Sequence, residues 1–493
     1  MKAIPLKISG AISLLVPLAC LAVFGWKFSD RMARQKQDAA LILGVKASRP
    51  PEVAAALWQG ADANARDVPP DARTLWQRVQ ALFHGEAPQP AELKSALALA
   101  VKYDIATQNA KERADSFAVL QMLHDRGAKP ADAEKSADRR MAAAEAALRA
   151  APDTPTARYG VDEFAAPDEK FSDALAARGL VAPAYRGLAL CRFRAGKYAE
   201  AVHFYRVAQL WQADDRELAA KIAEAEEAQQ IEAAIFAQRP RGATLTAARR
   251  FGGLPGRALW AALFGTKGEF GHHNIHVALY RQNGAAVQRL ALSEMLSDLS
   301  YNDEPSDKHD FTEASLSVFR LTRRRLPELL ITEFTTAGSV EPTQFYVLEW
   351  RGGHFRRLFS QHSAWPFWIE KGRRRGSAWI IRNEEETGAD LAHCDRPRRC
   401  DFHTYNGDRY VFANAQYPGE FADYIQEASA ALVKYPRDYD LLYNLAAFYR
   451  IRGQRRKSEE CYRKALRSLR SKDAQYGDKS YYQRVLNRVP PGN

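Results

Sequence analysis

Cysteine is scarce: five residues in a chain of 493. Cys20 sits in an apolar run near the start. Cys191 and Cys461 fall in helical segments, where a small buried hydrophobe is the usual role. Short catalytic signatures are missing as well. There is no His-Glu-x-x-His pair, no phosphate-binding P-loop, no dinucleotide glycine fingerprint and no Gly-x-Ser-x-Gly elbow. The histidine-rich stretch GHHNIH puts His272 and His276 on one strand face. Their separation there is about 13 Å, too far for a single ion without a bend. No catalytic, cofactor-binding or metal-binding residue is therefore assigned, and the chain is not expected to be an enzyme.

What is present is positive charge and repetition. Lysine and arginine number 71 against 59 acidic residues, a formal net charge of +12. That balance favours anionic partners without specifying a fold. Its most concentrated expression is two arginine triplets, Arg323, Arg324 and Arg325, then Arg373, Arg374 and Arg375. Each is followed by an apolar run of strand character. The 46% apolar and 26% charged fractions are those of a globular chain, and the length suits several domains.

Ile8 to Trp26 carries no charge and, at helical rise, spans roughly 28 Å. The expectation is a single membrane-crossing helix over residues 8–26, with a cleaved signal peptide or a lipoprotein signal around Cys20 as alternatives. This implies a bacterial inner-membrane protein, single-pass, with a periplasmic body. In such a compartment Cys394 and Cys400, bracketing DRPRR, are candidates for a disulfide. Free thiols, or a metal site with His393 and His403, are the alternatives.

Between the anchor and the end of the chain, helical and strand patterns alternate. EVAAALWQGADANARD and the pair SALALAVKYDI and SFAVLQMLHDRGAKP resemble ankyrin repeats, without their Thr-Pro-Leu-His start. AYRGLALCRFRAGKYAEAVHFYRVAQL resembles a tetratricopeptide repeat, with Tyr185, Leu188 and Ala189 on its first helix and Ala201, Tyr205 and Ala208 on its second. The same pattern returns in LLYNLAAFYRIRGQRRKSEECYRKALRSL. The middle of the chain changes to period-two alternation with hairpin signals at Asn283-Gly284, Gly352-Gly353 and Asn406-Gly407. Its two arginine-led segments resemble degenerate FG-GAP or VCBS repeats, the modules of integrin-type β-propellers. Those families place calcium-binding loops where this chain carries the triplets, and guanidiniums there would repel the ion. A partial propeller and a compact antiparallel sheet both fit.

The expected fold is α+β and multidomain: a transmembrane helix, then α-solenoid segments flanking a mainly antiparallel β domain. The boundaries are 1–37 for the anchor, 38–134 for ankyrin-like repeats, 135–242 for tetratricopeptide-like repeats, 243–417 for the β domain and 418–493 for further tetratricopeptide-like helices. Such stacks bind other proteins along a concave wall. The expected function is a membrane-anchored adaptor or scaffold of the cell envelope. Candidate partner-binding residues are the six triplet arginines with Arg192 and Asn444 on inner helix faces. No nucleic acid is expected, because stacking aromatics are not interleaved with the basic residues. The alternative is a glycan-binding or hydrolytic site in the β domain, using Trp350, Trp365 and Trp368.

Overall fold

The computed structural model describes residues 33–67, 95–107, 109–129, 137–151, 156–157, 165–176, 180–252, 258–268, 271–294, 296, 311–322, 327–336, 343–363, 367–370, 379–386 and 397–471. These divide into two compact units. The first lies within Met1–Arg149 and Phe164–Glu226, the second within Ala150–Glu163 and Glu227–Asn493.

The first unit is helical, and its helix ends are written in local chemistry. Helix α1 covers 33–46 and α2 Pro50–Trp58, with proline in the first turn, where the missing N–H costs nothing. Helix α3 (Ala96–Ile105) is capped by Ser95, which accepts from the Ala98 N–H at 3.2 Å. Helix α4 (Ala110–Asp125) is capped by Asn109, which accepts from the Glu112 N–H at 2.9 Å. Next come α5 (Ala137–Ala150), α6 (Ala165–Ala176), α7 (Val181–Arg194), α8 (Tyr198–Trp211) and α9 (Arg216–Ala237), the last crossing into the second unit. Helices α6 and α7 approach closely because Gly187 has no side chain: a Cβ there would stand 2.2 Å from the Phe171 ring.

The second unit opens with β1 (Thr156–Ala157), which pairs with the edge of β10. Three antiparallel four-stranded meanders follow. The first comprises β2 (Ala243–Gly252), β3 (Leu259–Gly268), β4 (Gly271–Asn283) and β5 (Ala286–Leu292). The second comprises β6 (Phe311–Phe319), β7 (Glu328–Thr336), β8 (Thr343–Arg351) and β9 (His354–Ser363). The third comprises β10 (Phe367–Glu370), β11 (Ile380–Glu386), β12 (Arg398–Tyr405) and β13 (Tyr410–Phe412). One parallel pairing, Gly271 with Thr312, joins the first two meanders into a single eight-stranded sheet.

The meanders are layered through their faces. On β7, Leu329 and Ile331 enter a core shared with Phe251, Leu263, Val277 and Leu279 of the first meander. Leu330, pointing the other way, enters a core with Phe367, Ile369 and Ile381 of the third. A strand covered on both sides reads as a continuous apolar run, which is why ELLIT lacks alternation. The outer face of the third meander, at Ile380 and Phe402, is covered by the C-terminal helices α10 (Ala422–Lys434) and α11 (Tyr439–Ile451). Helix α12 (Arg455–Ser471) packs against α11 through Ala465 and Ser458, whose hydroxyl donates to the Ala446 carbonyl at 2.6 Å.

Two parts of the expected architecture are corrected. No helix among the described residues is long and apolar enough to cross a membrane. The longest, α9, has 22 residues but is interrupted by Lys221, Glu224, Glu226, Glu227 and Glu232. The run Ile8–Trp26 lies outside the described residues, so the transmembrane helix and the single-pass inner-membrane placement with a periplasmic body are not carried forward. Nor do the helices form a solenoid. The apolar face of α11, with Leu441, Leu445 and Phe448, enters a core built jointly from Tyr424, Ile425 and Ala428 of α10 and from Ile380 and Phe402 of the third meander. The ankyrin-like and tetratricopeptide-like segments before Glu227 fall in one compact unit, joined by the Asp104 carboxylate with Tyr185 and His203.

Candidate functional site

The two arginine triplets lie outside the described residues, but their flanks do not. Pro327 directs the chain into β7, and Glu328, its first residue, is buried. The Glu328 carboxylate accepts from the Leu321 N–H at 2.8 Å, from the Thr322 N–H at 3.4 Å and from the Thr322 hydroxyl. It thus clasps the chain on both sides of the segment carrying Arg323, Arg324 and Arg325. Burial raises the Glu328 pKa above the ordinary carboxylate value, and the hydrogen bonds from Thr322 and Leu321 oppose that rise.

The flank of the second triplet meets the first. Trp379 is the first described residue after Arg373, Arg374 and Arg375. Its backbone N–H donates to the Leu321 carbonyl at 3.1 Å. Its ring stands edge-on to Phe319 at 5.2 Å between centroids. Leu321, Phe319 and Trp379 belong to the core between the second and third meanders. The described flanks of two triplets fifty residues apart in sequence therefore meet at Leu321 and Trp379.

The other expected contact residues are held internally. The Arg192 guanidinium grips Asp168 with two parallel bonds, Nε to Oδ1 at 2.8 Å and Nη2 to Oδ2 at 2.7 Å, and donates to Glu200 at 3.0 Å. Asn444, on α11, accepts from Arg399 Nη1 of β12 at 2.6 Å and donates to the Asp440 carbonyl at 2.8 Å. Arg399 also holds Asp401 at 2.8 Å, and Asp401 accepts from Asn414 at 2.8 Å. The helix face that lines the groove of a free tetratricopeptide stack is here fastened to the protein's own sheet. Arg192 and Asn444 belong to different units.

Cys400 is a free thiol, and Cys394, its expected disulfide partner, lies outside the described residues. Cys400 Sγ accepts from Arg382 Nη2 at 3.1 Å. Burial still pushes its pKa up, against the opposing charge of Arg382. Among the described residues no group of three His, Cys, Asp or Glu side chains could hold a metal ion. His276 Nδ1 lies 3.2 Å from the Ser293 carbonyl, a strand contact. Of the tryptophans, Trp350 packs edge-on against Phe355 at 5.1 Å, Trp368 lies beneath the Arg382 guanidinium at 5.6 Å, and Trp365 is outside the described residues.

No family model, curated protein or solved structure matches this chain. The functional reading rests on its own geometry.

One buried constellation was missed in the sequence. Asp104, fully buried at the end of α3, accepts from the Tyr185 hydroxyl at 2.9 Å and lies 2.8 Å from His203 Nε2. Burial, with the Asp104 charge, holds the Tyr185 hydroxyl well above its usual pKa. The signal was available: Asp104 is in phase with Leu97, Ala100 and Val101, an acid on the buried stripe of a helix. Its place among core helices assigns it to fastening α3 onto α7 and α8.

Proposed function

We propose that this protein is an interaction module that holds an acidic segment of another protein against its paired arginine loops. The observation carrying this reading is the hydrogen bond from Trp379 to Leu321, with the Glu328 clasp beside it. The bond joins the described flanks of the two triplets, Leu321 before the first and Trp379 after the second, and supports reading the six arginines as one binding surface. Arginine suits carboxylates because its planar fork makes paired, directional hydrogen bonds. A rigid base spares the ordering cost of binding. The role is recognition, and no catalytic step is assigned to it.

The test uses the full chain and a fluorescein-labelled polyglutamate peptide, with anisotropy read at low and physiological salt. Reversing both triplets (R323E/R324E/R325E with R373E/R374E/R375E) is expected to raise Kd about tenfold or more, with an unchanged thermal melt. Reversal that leaves the Kd within roughly twofold would sink the reading.

A further inference from the structure

With the inner face of the C-terminal hairpin fastened to the sheet, its remaining surface is the outer side of α12. This helix carries Arg455, Arg456, Lys457, Arg463, Lys464, Arg467 and Arg470 against only Glu459 and Glu460. Both acids are occupied within the helix. Glu459 pairs with Arg455 at 3.3 Å and Arg463 at 3.6 Å, and Glu460 pairs with Lys464 at 2.7 Å. Lys457 stands over the Tyr449 ring at 5.4 Å. Arg456 and Arg467 make no ion pair among the described residues, and the Arg463 pair is long and exposed, so it exchanges readily.

Arg456, Arg463 and Arg467 are all exposed and recur at i, i+7 and i+11. At 100° per residue they fall within about 40° of one another, on a ridge of roughly 16 Å. Buried Ser458, Ala465 and Ser468 mark the opposite side. Among the described side chains of α12 no large apolar one is exposed. Its aromatic residue, Tyr462, packs inward with Tyr439, Tyr443 and Leu466. A ridge of arginines without exposed rings has charge and fork geometry to offer, but nothing on which a nucleobase can stack.

We infer that the outer face of α12 is a second docking surface, whose occupant is an acidic amphipathic helix of a partner protein. This rests on the reading of the protein as a binder of acidic protein segments, but it uses a different surface. Carboxylates at i, i+4 and i+11 on an antiparallel helix match the arginine row and pair with it fork to fork. Such a contact forms fast, dissociates fast and weakens with salt.

The probe is a fluorescein-labelled, alanine-based helical peptide with glutamates at i, i+4 and i+11. A peptide of equal composition with the glutamates spread around the helix is the control. A labelled single-stranded RNA serves as a third arm. Binding to the full chain is read by anisotropy. The variant R456E/R463E/R467E is expected to weaken the patterned peptide about tenfold or more, while the loop-reversed variant keeps it within roughly twofold. A Gln variant, R456Q/R463Q/R467Q, is expected to show an intermediate loss, and circular dichroism verifies that the helix persists. The inference is overturned if the helix variants bind as the parent does, if the control peptide binds equally well, or if RNA binds more tightly than the patterned peptide. Loss confined to the loop-reversed variant would refute this surface and leave the paired-loop reading standing. Loss of the patterned peptide confined to the helix variants is the expected result, and it leaves the paired-loop reading to stand or fall on the polyglutamate measurement.

Discussion

His403 shows how one residue records its surroundings. It lies on β12 with its ring edge-on to Phe359 and Phe412, and burial lowers its pKa against the opposing pull of Asp401. The folded state therefore holds this proton less tightly than the unfolded chain does. Its contribution to stability is complete above the unfolded value, near pH 6.5, and is lost as pH falls through the depressed folded value. Urea unfolding between pH 8 and pH 5 should show a steeper decline for the parent than for His403→Gln, about which no proton equilibrium turns. Parallel declines would remove His403 as a cause. Nothing in the sequence around His403 marks it as buried, because its cover comes from β9 and β13.

Short elements were more legible than single residues. Gly352 and Gly353 both take positive φ, 60° and 83°, in a two-residue turn between Arg351 and His354, as the glycine pair foretold. At Asn283-Gly284 the turn is displaced by one residue. Asn283 still pairs with Ala286, and Gly284 alone is left-handed, at 60°. At Asn406-Gly407 the loop lengthens because the Asn406 side chain accepts from the Asp408 and Arg409 N–H groups. The β6–β7 connection depends on the Glu328 clasp. Glu328→Ala leaves the Leu321 and Thr322 N–H groups without their acceptor, and a loss of about 1–3 kcal/mol is expected in denaturant unfolding. Glu328→Gln keeps one acceptor and sheds the buried charge, so it should lose less. Equal and negligible effects of both would show that the clasp contributes nothing.

Within the second unit, the order of layers was hidden: three meanders, then α10 and α11 on the outer face of the third. Phe421 stacks on Phe448 at 4.2 Å and Phe402 on Tyr417 at 4.6 Å, which makes the helices part of the same core as the sheet. A chain ending at Tyr417 uncovers Ile380 and Phe402. It should associate or precipitate, as size-exclusion chromatography with light scattering would show, because a bare apolar sheet face recruits another. A monomeric, soluble product with an unchanged melt would argue that the helices are merely appended.

Local chemistry decided what the sequence could decide alone: capping at Ser95, Asn109 and Asp438, and reversal at Gly352-Gly353. Each depends on residues within a few positions of one another, where propensity and hydrogen bonding act without long-range help. Tertiary structure alone decided that α11 lies on a sheet, that Asn444 answers to Arg399, and that the flanks of two distant arginine triplets share one knot. An apolar helix face has no label for its partner. Burial is rewarded by area whatever surface supplies it, so the choice belongs to the packing of the whole unit.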